Sequence, residues 1–159
     1  MAVLDSTLNQ YEVLSFFNYK NGNLYQRFKE TKKLGSVTKD NYIVVGFKNK
    51  SYYAHRIIFL MFHGYTPLCI DHINGIKNDN RIENLRPANA KTNGYNQVTR
   101  KNTASNIKNV TWQKTAKKWQ VNLSINGEKK YFGLYKDIEY AKFVAEAMRY
   151  KYHGEFSKV

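Results

Sequence analysis

The stretch Asp71-His72-Ile73-Asn74, followed shortly by Arg81-Ile82-Glu83-Asn84-Leu85-Arg86, decides how the middle of this chain folds. The apolar run at 68–70 predicts a strand that ends at the Asp-His pair. The Asn- and Gly-rich residues between the two quoted blocks predict a loop. Residues 85–88 predict the returning strand, which its proline confines to a sheet edge, and residues 89–97 predict a short polar helix. The expected order is strand, loop, strand, helix.

The residue types in this unit suit the hydrolysis of a phosphodiester. A neutral imidazole at His72 can take a proton from water near neutral pH. The carboxylate of Asp71 and the side-chain oxygen of Asn93 are hard ligands for a divalent cation, which would polarise the phosphate and the leaving oxygen. Asn84 is expected opposite His72, where a side-chain or backbone hydrogen bond would orient the imidazole. Neighbours on a regular strand point to opposite faces, so Asp71 and His72 share a site only where the strand ends or bends.

The first part of the chain predicts short strands joined by tight turns. Asn21-Gly22 tolerates the positive φ angles of a two-residue hairpin turn and joins strand patterns at 16–20 and 23–28. Lys48-Asn49-Lys50 is expected to join a second pair of strands. We therefore interpret residues 10–54 as β structure, and residues 1–52 as an N-terminal β-hairpin region.

The periodicity of the sequence changes at His55. Apolar residues then recur at spacings of three and four, which predicts a helix from His55 to His63 ended by Gly64. His55, at the start of this helix, is expected to have a structural or capping role. The single Cys69 excludes an internal disulfide and zinc sites built on paired cysteines, and we expect it to be buried as a small hydrophobic residue.

The last third of the chain predicts a separate module. Residues 98–109 are polar, basic and nearly free of apolar anchors, which predicts a linker. Beyond them, Val110 and Trp112, and then the odd-numbered residues from Trp119 to Ile125, alternate with polar residues. This period of two predicts strands with one buried and one polar face.

A hairpin and a helix are expected to complete this module. Asn126-Gly127 predicts a tight turn onto the strand at 129–135. Asp137 is placed to cap a helix with apolar residues at helical spacing. Residues 110–159 are therefore expected to form a three-stranded antiparallel sheet packed on one helix, with the other sheet face free.

The charge of the chain favours a polyanionic partner. The 159 residues carry a net charge of +14 at pH 7, with a sequence pI near 9.8. Both parts are basic, because residues 1–100 carry 14 Lys and Arg against 7 acidic residues and residues 101–159 carry 12 against 5. No apolar run of about 18 residues and no secretory signal pattern is present. Nucleic acid and an acidic membrane are the two candidate partners of such a chain. Because the sequence contains no basic amphipathic helix with a large apolar face, we expect a cytoplasmic protein whose partner is double-stranded DNA, with neither a membrane nor a small-molecule substrate.

The central segment resembles the HNH endonucleases, particularly the branch found in phage and intron-encoded homing endonucleases. The matching residues are Ala54-His55-Arg56, Asp71-His72-Ile73-Asn74-Gly75, the run from Asn78 to Arg86, and Asn93. The resemblance implies a ββα-metal nuclease core over 53–97, in which His72 is the general base and Asn84 the central Asn of the motif. It also implies that Asp71 and Asn93 hold Mg²⁺ or Mn²⁺. The last His of the family motif is Asn93 here, which favours a hard, oxygen-preferring metal over Zn²⁺.

Residues 103–157 resemble the plant Apetala and ethylene-response-factor type DNA-binding domain, which also occurs attached to phage HNH endonucleases. The matching blocks are residues 109–112, 118–121, 133–135 and 153–156, with the alanines of the helix. The resemblance implies that the solvent face of the sheet lies in the major groove and contacts bases and phosphates. Amides, hydroxyls and lysines stand here where the plant proteins have several arginines. The residues expected on this face are Thr111, Gln113, Lys118, Gln120, Asn122, Ser124, Lys129 and Tyr131.

Taken together, the sequence predicts an α+β protein that is a metal-dependent DNA endonuclease of the HNH type. The alternative is a non-enzymatic DNA-binding protein or regulator with a degenerate nuclease core. Arg81 and Arg86 are each expected either to contact phosphate or to pair with an acid such as Glu83. Among cations Mg²⁺ is placed ahead of Mn²⁺, and among oligomeric states a monomer is slightly favoured.

Overall fold

The structure, a computed structural model, describes residues 8–89 and 104–157. These residues form two compact units, divided after Asn89. Each unit combines helix with small antiparallel sheets, which confirms the α+β class.

The first unit consists of three small sheets and two helices among its described residues. The helices are α1 (Gln10–Phe16) and α2 (Ala54–His63). The strands are β1 (Phe17–Lys20), β2 (Asn23–Gln26), β3 (Lys29–Leu34), β4 (Ser36–Val37), β5 (Ile43–Phe47), β6 (Lys50–Tyr53), β7 (Cys69–His72) and β8 (Leu85–Ala88). The sheets have the orders β1-β2-β3, β4-β5-β6 and β7-β8, and every pairing is antiparallel.

One hydrophobic core runs through the whole of this unit. Helix α2 lies at its centre, because seven of the ten residues of α2 are buried, among them Ile57, Ile58 and Phe59. Val13 and Phe17 from the N-terminal end and Leu85 from β8 belong to the same cluster. The predicted boundary at residue 52 therefore does not separate two cores.

Two local predictions in this unit are wrong. Residues 10–16 form a helix, α1, where the sequence predicted β structure; Asn9 caps it by accepting a hydrogen bond from the backbone N–H of Glu12 at 2.8 Å. The second hairpin turn contains two residues rather than three, since Lys48 and Asn49 have φ angles of 49° and 60° and Lys50 begins β6. Two successive left-handed residues match the twist of an antiparallel hairpin.

The elements that carry the central motif follow the predicted order as far as they are described. Helix α2 ends at His63, and Gly64 takes the left-handed conformation with φ 76°. Strands β7 and β8 pair with Asp71 opposite Arg86 and His72 opposite Leu85. Cys69 is half-buried rather than buried. Of the predicted helix at 89–97, residues 90–97 lie outside the described residues.

The second unit is a three-stranded antiparallel sheet covered by one helix. Its strands are β9 (Val110–Gln113), β10 (Lys118–Ile125) and β11 (Glu128–Tyr135), in the order β11-β10-β9. Helix α3 (Ile138–His153) starts at Asp137, whose Oδ1 accepts the backbone N–H of Tyr140 at 2.6 Å. The predicted sheet, tight turn at Asn126-Gly127 and capped helix are confirmed.

The predicted alternation in β10 sets the core of this unit. Val121, Leu123 and Ile125 are buried against Ala141 and Ala145 of α3. Trp112 was predicted on the buried face, but 40% of its side chain is exposed, and its ring contacts that of Trp119 at 4.8 Å.

The predicted linker at 98–109 overlaps the folded module. Residues 98–103 lie outside the described residues. Ile107 packs against the core of the second unit, the Ser105 hydroxyl donates to the Val110 carbonyl, and Arg149 donates to the Lys108 carbonyl at 2.9 Å. Residues 104–109 are therefore part of the module. None of the helices described in the two units is long and apolar enough to cross a membrane.

Candidate active site

The candidate site is built around the loop that joins β7 to β8. The backbone N–H of Ile73 donates to the Asn84 carbonyl at 2.9 Å, and that of Gly75 donates to the His72 carbonyl at 2.7 Å. A 3₁₀ turn at Ile82–Asn84 leads into β8. The chain therefore turns immediately after His72, as predicted for a site at the end of a strand.

Side-chain amides and a carboxylate hold this loop together. The Oδ1 of Asn84 accepts the backbone N–H of Asn74 at 2.9 Å, and its Nδ2 donates to Asn74 Oδ1 at 3.0 Å and to the Asp79 carbonyl at 2.7 Å. Asn74 Nδ2 in turn donates to Asp79 Oδ2 at 2.7 Å. The side chain of Asn84 therefore orders the loop, where the sequence predicted a hydrogen bond to the imidazole.

The partner of the His72 imidazole is Asn80. His72 Nε2 donates to Asn80 Oδ1 at 2.9 Å, and both residues are buried. The rings of Tyr42 and His55 lie 6.1 and 5.2 Å from the His72 ring. Burial lowers the pKa of His72, while the hydrogen bond to Asn80 and the nearby charge of Asp71 act to raise it. A lowered pKa keeps the imidazole neutral near pH 7, which is the form that can accept a proton.

Asp71 lies one residue before His72 and is tied to β8. Arg86 Nε and Nη2 donate to Asp71 Oδ2 at 2.9 and 2.7 Å, and only 5% of the Asp71 side chain is exposed. The sequence left open whether Arg86 contacts phosphate or pairs with an acid such as Glu83. The acid that it pairs with is Asp71, because the strand register places the two residues opposite each other.

Arg81 lies at the rim of the loop and also pairs with an acid. Its Nε and Nη2 donate to the two carboxylate oxygens of Asp79 at 2.8 and 2.7 Å, whereas Glu83 is 3.9 Å away. The hydrogen bond from Arg81 lowers the pKa of Asp79 to about 2. Half of the Arg81 side chain is exposed, so the guanidinium reaches solvent beside the site.

The described residues supply part of the predicted metal-binding set. Asp71 contributes a buried carboxylate of which Oδ2 is bound by Arg86. Asn93 lies outside the described residues. Within 8–89 and 104–157, no group of three or more His, Cys, Asp or Glu side chains is arranged to hold a metal ion. The donor set fits a hard cation bound by one carboxylate and an amide oxygen, and does not fit a zinc centre.

The first β-hairpin supports the loop from outside. The backbone N–H of Ile82 donates to the hydroxyl of Tyr19 at 3.2 Å. Gly22, in the β1–β2 turn, lies so close to the loop that a Cβ there would come within 2.8 Å of the Arg81 backbone nitrogen. The hairpin therefore fixes the position of the chain at Asn80 and Arg81.

His55 forms a wall of the site rather than a helix cap. Its ring stacks on Tyr53 at 5.4 Å and lies edge-on to His72. Burial, together with the nearby His72 and Arg56, lowers the pKa of His55 to about 3. Its Nδ1 is buried and has no hydrogen-bond partner among the described residues. The structural role expected from the sequence fits this environment.

Sequence reasoning assigned no role to Asn80, Asn74, Asp79 or Tyr42. The first three lie in the Asn-rich loop, where composition predicted a loop without indicating which amide would meet the imidazole. The composition did indicate that some of these amides pair within the loop, because buried polar groups of a loop must find internal hydrogen-bond partners. Tyr42 immediately precedes β5, and only the packing of that strand brings it to His72.

The predicted DNA-facing residues of the second unit share one face of its sheet. Side chains alternate along β10, so its even-numbered residues point away from the buried Val121 and Leu123. The register then adds the residues opposite them, since directly paired residues lie on the same face. The face contains Thr111, Gln113, Lys118, Gln120, Asn122, Ser124, Lys129 and Tyr131, and none of them is buried.

Comparison with known proteins finds similarity in the segment that contains the site. Residues 52–95 match a protein-family model described as HNH endonuclease, and this segment contains α2, β7, the loop and β8. Over 89 residues the chain is 29% identical to Protein 3.8 of Escherichia phage T7. The aligned segment covers 56% of this chain and 73% of that protein. It is also similar to a solved structure concerning DNA binding and cleavage by the HNH homing endonuclease I-HmuI. That similarity has 27% sequence identity and a TM-score of 0.44, and it covers 74% of this chain and 71% of the other.

Proposed function

We propose that this protein is a metal-dependent DNA endonuclease in which His72 activates the attacking water. The observation that carries the proposal is the buried imidazole of His72, held by Asn80 beside the Asp71 carboxylate, within a segment that matches an HNH endonuclease family model. A titratable side chain whose pKa is shifted by burial and that lies beside a charged partner is a candidate functional group.

The residues of the chain divide the chemistry between them. His72 takes the proton from the water that attacks phosphorus. Asn84 acts indirectly, because it orders the loop that carries Asn80. Lys77, whose Nζ lies 4.8 Å from the ring centre of Tyr42, and Arg81 at the rim are cations placed to contact phosphate. We assign Arg86 instead to holding Asp71, because its guanidinium binds that carboxylate.

The proposal includes one divalent cation, Mg²⁺ ahead of Mn²⁺. Asp71 and Asn93 would hold it. When bound, such a cation stabilises negative charge on the phosphate and on the leaving oxygen. Ordering of Asp71 by Arg86 supports this assignment, because a carboxylate ligand binds best when its position is fixed in advance.

We further propose that the second unit binds the DNA that the first unit cuts, as in the Apetala and ethylene-response-factor type domains that it resembles. Eight polar or aromatic residues, with Lys118 and Lys129 among them, share the sheet face opposite α3. Amides and hydroxyls on such a face can contact base edges, and lysines can contact phosphates. This part of the proposal does not depend on cleavage.

A plasmid assay tests the nuclease proposal. Supercoiled plasmid and a library of random-sequence duplexes are incubated with the full chain and Mg²⁺, with and without EDTA. We expect nicked circles to accumulate, because one such site acts on one strand at a time, and EDTA to abolish them. His72→Ala should reduce the rate by about 10²- to 10⁴-fold, the usual contribution of a general base.

His63→Ala is the matched control. His63 is exposed and packs on Phe59 with ring centres 4.2 Å apart, away from the imidazole of His72. This variant should cleave like the unmodified chain. Cleavage that survives His72→Ala in a folded protein would contradict the mechanism. Tight DNA binding without cleavage of any duplex would favour the non-enzymatic alternative.

A further inference from the structure

Helix α3 carries a row of exposed aromatic side chains on the side that faces away from its sheet. Tyr140, Phe143 and Tyr150 are 55%, 64% and 76% exposed, whereas Ala145 is buried against the sheet. Together with Ala147 they recur at spacings of three, four and three residues, which places them along one side of the helix. We call Tyr140, Phe143, Ala147 and Tyr150 the outer stripe of α3. Exposed apolar side chains that share one face mark an interaction surface.

A groove of about 320 Å³ opens along this outer stripe. Its lining includes Phe143, Glu146, Ala147 and Tyr150, which have the spacing i, i+3, i+4 and i+7. Four residues at this spacing form the hole that receives one side chain, the knob, from a facing helix in knobs-into-holes packing. Helix α3 therefore presents a hole of the kind that a second helix fills.

A second copy of α3 supplies a knob that matches this hole when the two helices run antiparallel. If Tyr140 of each copy lies opposite Tyr150 of the other, the same register sets Phe143 of each copy opposite Ala147 of the other. A large side chain then meets a small one at the floor of the hole. Each copy gives one knob and receives one, as a two-fold symmetric interface requires.

The charges at the ends of α3 favour the antiparallel direction. The helix is capped by Asp137 and has Glu139 in its first turn, whereas Lys151 lies in its last turn. Two antiparallel copies place the acidic end of each helix beside the basic end of the other, and their helix dipoles oppose each other favourably. A parallel pair would bring like ends together.

The area of the outer stripe suits a weak dimer. Phe and Tyr side chains bury about 150–250 Å² each when they are fully covered, so six of them at about two-thirds exposure supply roughly 600–1,000 Å². Specific interfaces bury about 1,200 Å² or more, and weak, transient ones bury less. Residues that flank the stripe add to the total, which lies near the boundary between these two classes.

We propose that the outer stripe of α3 is a self-association surface, through which two copies of this chain form a weak antiparallel dimer. Phe143 of each copy packs over Ala147 of the other. The free face of the sheet, which lies on the opposite side of this unit, stays open in such a dimer. The proposal goes beyond the proposed nuclease function and does not depend on it. Two associated copies bring two nuclease units to one DNA, where each can act on one strand.

Sedimentation equilibrium of the full chain, without DNA and without a divalent cation, measures this association. Salt at about 0.15 M shortens the Debye length to about 8 Å and so screens the repulsion between two basic chains. We expect the mean mass to rise from 18.7 kDa towards twice that value between low micromolar and several hundred micromolar protein. A mass that stays at one chain throughout this range overturns the proposal.

An exchange of the large and the small residue tests the register. Phe143→Ala should weaken association at least about tenfold, as expected for a central aromatic residue of an interface. Ala147→Phe should also weaken it, because the added ring fills the hole. The double variant Phe143→Ala/Ala147→Phe should restore association, since two-fold pairing sets position 143 of one copy against position 147 of the other. A double variant that associates no better than its single changes overturns the antiparallel register.

Phe28→Ala is the matched control for a general effect of removing exposed rings. Phe28 is 88% exposed and lies in the first unit, so its loss should leave the association unchanged. Circular dichroism checks that each variant is folded. If Phe143→Ala does not fold, Tyr150→Ser removes another exposed ring of the stripe and should weaken association in the same way.

Two further results would contradict self-association through α3. Association that Phe143→Ala and Tyr150→Ser both leave unchanged overturns the proposal, because another surface then joins the copies. A chain that stays monomeric and loses stability to urea in Phe143→Ala also overturns it, because the stripe is then covered by another part of the same chain.

Discussion

Arg86 donates both Nε and Nη2 to a single oxygen of Asp71, Oδ2, at 2.9 and 2.7 Å across the β7–β8 pair. The two side chains are 12% and 5% exposed, so neither charge is well hydrated. Removing one partner of a buried ion pair typically costs about 3–5 kcal/mol. The geometry of Asp71 before any cation binds is therefore set by Arg86.

The first prediction follows from this pair. Arg86→Met should lower the free energy of unfolding of the first unit by about 3 kcal/mol, measured by urea denaturation. Arg81→Met is the control, because the pair of Arg81 with Asp79 is exposed to solvent and its loss should destabilise the unit far less. The double variant Asp71→Asn/Arg86→Met should cost less than the sum of its single changes. Equal losses for Arg86→Met and Arg81→Met would show that Asp71 is not held as described.

The second prediction concerns the turn that supports the loop. Gly22 has φ 77°, and a Cβ there would lie 2.8 Å from backbone of the loop. Gly22→Ala should therefore destabilise the first unit by at least about 1–3 kcal/mol, since an unfavourable φ and a clash with backbone act together. Thermal unfolding measures the loss.

Gly46→Ala provides the comparison for this turn. Gly46 lies in the same unit and is exposed on β5, and nothing lies within 4 Å of a Cβ added there. Its effect should be within about 0.5 kcal/mol. A Gly22→Ala variant as stable as Gly46→Ala would mean that the hairpin does not press on the loop.

The sequence predicted elements whose signals are local and missed relationships that depend on pairing. Asn21-Gly22, the alternation in β10 and the Asp137 cap were found because each signal lies within a few residues of the element that it sets. Helix α1 was missed, because its seven residues include only one buried position, Val13, and its aromatic residues favour strands.

The same distinction applies to the site. Asp71 and His72 were identified from residue type and from their place at a strand end. Which residue would meet each of them was not, because the β7–β8 register selects Arg86 for Asp71 and the folding of the loop selects Asn80 for His72. A one-residue change in register would have exchanged the faces of all these side chains.

The third prediction is a dependence of stability on pH that comes from His55. Burial and the charges of His72 and Arg56 lower the pKa of His55 to about 3, below the ordinary ~6.5 of an unfolded chain. Tyr42 and Tyr53 pack on its ring. The unfolded chain therefore binds a proton that the folded chain does not, so stability falls as pH falls.

Between roughly pH 6 and 4, this one proton should lower the free energy of unfolding by about 1.4 kcal/mol for each pH unit. The ring of His55 can be replaced by Phe because its Nδ1 has no partner among the described residues. His55→Phe should reduce the slope of the free energy of unfolding against pH by the contribution of one proton, as measured by urea unfolding across this range. The remaining slope includes His72, whose pKa is also lowered by burial. An unchanged slope in His55→Phe would contradict the assignment.

The fourth prediction uses two adjacent lysines that the strand register places on opposite faces. Lys129 is opposite Ser124 on the free face of the sheet, whereas Lys130 is opposite Leu123, whose side chain is buried against α3. Both lysines are exposed, and each substitution by Ala removes the same charge.

If the free face contacts DNA, Lys129→Ala should weaken binding and reduce the slope of log K against log salt by about 0.9, the value for one lost phosphate contact. Lys130→Ala should leave that slope unchanged. Fluorescence anisotropy with a labelled duplex over a salt series measures both, and equal slopes for the two variants would mean that net charge, rather than this face, binds the DNA.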